Sequence, residues 1–419
     1  MTCPVQHNGS GSSAPFVLDP YVKDLLGEGE RLRAAGPLVR VELPEGVTAW
    51  AVTHLAEARK LLTDPRLVKD VNQWGPWQRG EIGANWPLRA LVDPGPSMLV
   101  VDGEEHRRLR TPVSQAFTPR RVEAMRPRVA RITEELIEEL AARDNGEPVD
   151  LKPAFAYELP MRVISDLMGL EAAGDNRLRE LFDSLFSSFT PPEGLPAVLE
   201  ELSTRFTAMV AEKKRNPGDD LSSALLNAAE EGLAPLTDEE VVATIQVIIA
   251  AGHETTISLL LQAVRGLLSH PEQLALATSG KVGWDAVVEE ALRWSPPITH
   301  VLMRFASEDV EIGDTVIAKG EGLVLSLGPM GMDEAQFGPT ARDFDITREQ
   351  PNRHLSFGHG THVCPGAPLS RLEAELALPA LFARFPDMRL AVPAEELHNN
   401  PSVTQNDLAS LPVLLSGRS

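Results

Sequence analysis

Cysteine is nearly absent from this 419-residue chain, which has only Cys3 and Cys364. So small a supply excludes a scaffold built on disulfides and fits a reducing, cytoplasmic setting. It also weakens a zinc reading of Cys364, because His354, His359 and His362 lie nearby but no second cysteine stands at ligand spacing. Basic residues are scarce as well. There are 39 Lys and Arg against 60 Asp and Glu, a net charge of −21, which argues against nucleic-acid binding and for a soluble protein. No GxGxxG segment is present, so the chain carries no nucleotide or flavin site of that kind. No Pro/Gly/Ser-rich linker follows residue 16, and no internal repeat is evident, so residues 16–419 read as one large domain. Residues 1–15, MTCPVQHNGSGSSAP, are polar and rich in Gly and Ser, with neither an apolar h-region nor a basic n-region, and are expected to be a disordered tail.

What is present is mostly helical periodicity. Leu38 to Val52 alternates on both sides of Pro44-Glu45-Gly46, a hairpin signal. Asp70 to Met98 is irregular and carries Trp74, Trp77 and Trp86 among glycines and prolines. A helix with acids in its first turn starts at Asp102, and His106 and Arg110 share one of its faces. Asn176 to Arg215 reads as two helices broken at Thr190-Pro191-Pro192-Glu193-Gly194, with apolar stripes that include Leu178, Leu181, Leu202 and Phe206. Thr237 to Glu240 is a capping box, and the run behind it is apolar enough to approach a membrane span. Gln246, His253 and Glu254 interrupt that run, which fits a buried central helix and not a bilayer. Trp284 to Trp294 is a further helix, ended by Pro296-Pro297, and Val310 to Leu327 has the alternation of short strands. The fold class expected is mainly α with small β-sheets.

The most informative stretch is LSFGHGTHVCPGAPLSR, Leu355 to Arg371. Gly358, Gly360 and Gly366 let backbone lie close to a large planar group. Phe357 covers the sulfur of Cys364, and the helix that begins at Ala367 favours thiolate at its N-terminus. A thiolate on a haem iron donates electron density and favours O–O cleavage. Phe357-Gly358-x-Gly360-x-His362-x-Cys364-x-Gly366 resembles the haem-binding signature of the cytochrome P-450 superfamily, the haem-thiolate monooxygenases. Glu290-Ala291-Leu292-Arg293 resembles that family's Glu-x-x-Arg motif, whose role is structural. Ala250-Ala251-Gly252-His253-Glu254-Thr255-Thr256 resembles its oxygen-activating segment. The resemblance covers nearly the whole chain from residue 16.

The resemblance implies haem b with Cys364 as axial ligand, dioxygen as cosubstrate, and electrons drawn from NAD(P)H through a ferredoxin reductase and a ferredoxin. It implies Glu254 and Thr255 as a proton relay, because reducing dioxygen consumes protons that an acid beside a hydroxyl can deliver. It assigns His106, Arg110, Arg304 and His354 to the haem propionates, and Ala251, Phe357, Gly358, His362 and Gly366 to contact with the haem. Substrate contacts are expected from Trp74, Trp86, Gln246, Val247, Ala250, Ile298, Val301, Thr404 and Gln405. Gln246 and Gln405, one at each end of an apolar pocket, would suit a long, rigid, sparsely oxygenated molecule such as a steroid, and the chain is similar to an actinobacterial branch that includes steroid hydroxylases. A tailoring oxidase for another natural product, a peroxide-driven hydroxylase and a haem-based sensor are the rival functions. Seven arginines between residues 107 and 128 (Arg107, Arg108, Arg110, Arg120, Arg121, Arg126 and Arg128) offer a docking face for an acidic ferredoxin. Two departures stand out. Gly331-Met332-Asp333 replaces the family's common Asn-Arg-Asp, and Pro365 follows the ligand where an aliphatic residue with an amide hydrogen is usual.

Overall fold

The computed structural model describes residues 14–21, 23–170, 176–186, 194–228 and 232–416. Residues 1–13 of the expected tail and the break at 190–193 lie outside them. The hairpin forms as its alternation predicts. Strands β2 (Leu38–Leu43) and β3 (Val47–Val52) pair antiparallel with Leu38 opposite Val52. The turn between them puts Glu45 and Gly46 at φ 63° and 75°, a left-handed geometry that glycine accepts freely. With β1 (Phe16–Val17), β4 (Leu67–Val68), β5 (His300–Ala306) and β6 (Gly322–Ser326) they make a six-stranded sheet in the order β1-β2-β3-β6-β5-β4. The β5–β6 register shifts between Val301 and Arg304, and His300 to Arg304 all border one cavity.

Four helices frame that cavity: α1 (Gly103–Ala116), α2 (Asp238–Ser269), α3 (Trp284–Trp294) and α4 (Ala367–Arg384). Helix α2 starts where its capping box predicts, with Thr237 Oγ1 accepting from the Glu240 amide and the Glu240 carboxylate accepting from the Thr237 amide. By length and composition it could cross a membrane, but 78% of its most apolar window is buried against the rest of the fold. It packs on α3, α4 and the helices Glu158–Met168 and Leu195–Arg215. Gly252 permits one of these contacts, since a Cβ there would meet Ile164 Cδ1 at 2.6 Å.

The tryptophan loop corrects an expectation. Trp74 and Trp86 are 0% and 1% exposed and do not line the cavity. Trp74 stacks on Phe305 with centroids 5.4 Å apart, and Trp86 donates its indole N–H to the Pro44 carbonyl at 3.0 Å. Two large indoles find more area to bury against the strands of the sheet than at a pocket rim.

Candidate active site

The cavity encloses about 420 Å³ and is walled by α2, β5, the cysteine loop, the start of α4 and residues 404–405. The loop holds itself in shape. The Cys364 amide donates to the Phe357 carbonyl at 2.8 Å and the Gly358 amide to Leu355 at 2.7 Å. Gly358 and Gly360 both sit at φ 74°, and a Cβ on Gly360 would press on the Leu62 carbonyl at 3.1 Å. The Cys364 sulfur is open to the cavity but enclosed by protein, so burial pushes its thiol up, against the amides of Gly366 and Ala367 and the charges of Arg110 and Arg371. The helix-end effect expected at this sulfur is therefore present but outweighed by burial. Pro365, as its chemistry requires, adds no amide.

The loop is bolted to α3. Glu289 binds Arg371 Nε at 2.5 Å and His354 Nε2 at 3.2 Å, and the Arg371 guanidinium lies 4.5 Å from the Phe357 ring centroid. Burial alone would raise the Glu289 carboxyl, but these two partners hold it at about 2. His354 is thereby corrected. One ring nitrogen faces Glu289, the other accepts the Ser356 amide at 3.1 Å, and the ring does not line the cavity. Glu290 and Arg293, fully buried, meet in two 2.7 Å bonds. Arg293 also donates to the carbonyls of Gly331, Ala341 and Asp343. A Cβ at Gly331 would meet the Arg293 carbonyl at 2.1 Å, so the glycine of the departing Gly331-Met332-Asp333 sequence allows this contact.

A band of positive charge lies on one side of the cavity. Arg110 donates to Ser114 and to the Val363 carbonyl, Arg304 to the Leu67 carbonyl at 3.0 Å, and Lys69 to the carbonyls of Leu302 and Met303. These bonds are to neutral groups, and none of the three side chains makes an ion pair among the described residues. Asp102 is the nearby acid, with Oδ1 3.1 Å from His362 Nε2 and Oδ2 accepting the Lys69 amide at 2.6 Å. Burial lowers both arginines and His362, and it brings Lys69, helped by the Arg304 charge, down to about 7. His106 does not reach the cavity; it stacks behind His362 at 4.2 Å, with neither ring nitrogen hydrogen-bonded, and burial drives it to about 4. Such donors suit a large group that carries acids at one edge and faces the Cys364 sulfur. Lys69 escaped sequence reasoning, as did Glu373, a cavity-lining carboxyl that burial pushes up to about 8.

On α2 the lining residues are Val247, Ile248, Ala251, Gly252, Thr255 and Thr256. Val247, Ala251 and Thr255 follow at four-residue steps along one face, and Thr255 Oγ1 donates to the Ala251 carbonyl at 2.5 Å. Gln246, Ala250 and Glu254 form the adjoining face, turned about 100° away, and none of the three lines the cavity. The expectation that Gln246 and Ala250 touch substrate is thus corrected by helical phase, and the acid of the acid–alcohol pair points elsewhere than its alcohol. Ile298, Val301, Thr404 and Gln405 do line the cavity, as expected, and Gln405 Oε1 is buried without a hydrogen bond.

Residues 284–407 match the family model described as Cytochrome P450. The chain is 40% identical over 412 residues to the 2-hydroxy-5-methyl-1-naphthoate 7-hydroxylase of Streptomyces carzinostaticus, covering 96% of this chain and 98% of that one. It is 34% identical to the vitamin D(3) 25-hydroxylase of Pseudonocardia autotrophica, over 93% of each. Among solved structures, testosterone-bound CYP154C4 from Streptomyces sp. ATCC 11861 superposes with a TM-score of 0.94 at 61% identity, covering 96% of this chain and 99% of that one. Likeness on that scale, along nearly the full length of both partners, makes this chain a member of the cytochrome P450 monooxygenases, oxidoreductases that work with a haem iron and dioxygen.

Proposed function

We propose that the chain hydroxylates a steroid or a molecule of similar shape, drawing electrons from NAD(P)H through a ferredoxin reductase and a ferredoxin. The observation that carries the substrate class is Gln405. It is a buried amide whose oxygen has no hydrogen bond, set in a cavity whose lining includes the apolar Val247, Ile298, Val301 and Leu325. A buried acceptor left unpaired is costly, and a hydroxyl at one end of an apolar ligand would satisfy it. The 61% identical structure with testosterone bound supports the same class.

The bound haem would supply the oxidising chemistry. Cys364 would hold the iron through its sulfur, with Phe357 beside it in the loop and the Gly366 and Ala367 amides directed at it. Arg110, Arg304, Lys69 and His362 hold the acid side chains, and Asp102 orients His362. Ala251 keeps α2 slim beside the ring. Thr255 holds its hydroxyl at the cavity wall, and Glu254, once turned toward it, would relay protons to that hydroxyl. Val247, Ile298, Val301 and Thr404 exclude water and orient the substrate.

The ferredoxin face is narrower than the run of arginines suggests. Arg108 is bound by Glu105 and Glu240, Arg126 by Glu123, Arg128 by Asp166, and Arg110 faces the cavity. Arg120 and Arg121, exposed on the helix Pro119–Ala124, make no ion pair among the described residues and are the proposed contact.

Two titrations test the function. The reduced protein under carbon monoxide should show the absorption of a thiolate-ligated haem; an imidazole-type spectrum refutes Cys364 as ligand. Testosterone should then displace the sixth ligand and change the spin state, with affinity falling about tenfold in Gln405→Leu. A response to 2-hydroxy-5-methyl-1-naphthoate and none to testosterone would overturn the steroid class in favour of an aromatic natural product.

A further inference from the structure

Glu254 lies on the face of α2 that adjoins the cavity lining, in polar surroundings. Gln246, Ala250, Glu254 and Ser258 follow at four-residue steps on one face. Ser258 Oγ donates to the Asn406 carbonyl at 2.5 Å, so the C-terminal segment lies along that face. The next residue, Asp407, accepts Lys152 Nζ on both carboxylate oxygens, at 2.8 and 2.6 Å. Asn400 donates to the same carboxylate at 2.7 Å, and Lys152 Nζ also donates to the Leu408 carbonyl at 2.9 Å. Lys152 begins the turn Lys152–Ala156, which packs on α2. Just beyond it, the Tyr157 carbonyl is 3.3 Å from His253 Nε2, and the Tyr157 ring stands edge-on to the imidazole at 4.2 Å. His253 Nδ1 lies 3.3 Å from Glu254 Oε1.

Glu254 thus has His253 beside it and Ser258 one turn further along its own helix, while Tyr157 backs His253, and the Lys152–Asp407 pair stands where the C-terminal segment follows that face. Exposure is graded, with the side chain of Glu254 at 8%, Asp407 at 12% and Lys152 at 14%, so water meets the Lys152–Asp407 end first. Burial raises the Asp407 carboxyl, Lys152 opposes the rise and Glu254 adds to it, so the two acids sense each other's charge.

We propose that Lys152 and Asp407 are positioning residues that form the solvent-side gate of proton entry to Glu254. This inference rests on the relay role given above to Glu254 and Thr255. A proton from water protonates Asp407, passes to Glu254 and leaves it again as a carboxylate when the side chain turns toward Thr255. Lys152, bonded to both oxygens of Asp407, sets a cation beside the pair of acids, so the loss of a proton inward does not strand a buried anion.

The holoenzyme tests this with and without turnover. In the resting protein, infrared pH titration follows the buried-carboxyl stretch that Glu254→Gln removes. Lys152→Met should move that titration to higher pH, and Lys152→Arg should restore it. During turnover with NADH and a ferredoxin chain, Asp407→Asn, which keeps the shape of the side chain, should slow product formation about tenfold and enlarge its solvent isotope effect. Thr255→Ala should keep haem and divert electrons to peroxide. If Thr255→Ala leaves product per NADH unchanged, the relay falls and the gate falls with it. If Thr255→Ala uncouples while the Lys152 and Asp407 variants match wild type in both the infrared titration and the isotope effect, the gate alone is overturned.

Discussion

Lys69 should make haem retention depend on pH. Its ammonium, ordinarily near 10.5, is brought to about 7 by burial and then by the Arg304 charge, while Asp102 opposes the fall. A gap of that size corresponds to about 5 kcal/mol of penalty on the charged form, greatest below pH 7 and lost as pH rises toward 10. An anionic edge arriving beside Nζ offsets the penalty, so between about pH 7 and 10 haem binding takes up one proton at this site. Wild-type affinity should then fall by up to tenfold per pH unit across that window. Lys69→Met removes the titrating group. It should lose haem faster than wild type at pH 7 and show no slope from this source, and Lys69→Arg, charged throughout, should retain haem with an equally flat profile. Transfer of haem to excess apomyoglobin, followed by absorbance from pH 6.5 to 9.5, about the span over which Lys69 titrates, gives all three profiles. A common slope for the three proteins would refute the reasoning.

Pro365→Leu offers the Cys364 sulfur a further amide; a bond worth about 1 kcal/mol more to the reduced state raises the iron potential by about 40 mV, and equal potentials in spectroelectrochemical titration would dispose of the effect. Arg293→Met leaves Glu290 with Arg348 at 3.4 Å and the Asp345 amide at 2.8 Å, and strands the buried carbonyls of Gly331 and Ala341. The loss should reach about 3–5 kcal/mol in urea unfolding, accompanied by reduced haem content. Arg121→Glu should slow reduction by an acidic ferredoxin and flatten its salt dependence without altering stability, as stopped-flow kinetics at several ionic strengths would show. Arg108→Glu, by contrast, should destabilise the fold, because it sets a third acid against Glu105 and Glu240.

Signals that act within a few residues were legible in advance. The capping box at Thr237 marked the start of α2, the Trp284–Trp294 helix ran as its period said, and the glycines around Cys364 announced a loop with left-handed turns. Helical phase was not legible. Sequence spacing relates Glu254, Ala250 and Gln246 to one another, but nothing local says which face meets the cavity, so three residues were placed one step out of rotation. Partners distant in sequence were equally hidden. His354 turns to Glu289, 65 residues away, and Arg108 to Glu240, 132 residues away. Burial of Lys69 depends on β5 closing over it, and no pattern around DPRLVKD foretells that.

The Glu289 clamp bears on how the molecule comes apart in acid. Its carboxyl stays ionised down to about 2, so the stability it lends is present in full above the ordinary glutamate range and is lost progressively as pH falls from there to that value. Exposed pairs such as Arg131 with Glu135 contribute little to stability in any case. Mild acidification should accordingly loosen the periphery first, with the sulfur-bearing strap still fastened to its neighbouring helix when the surface network has gone.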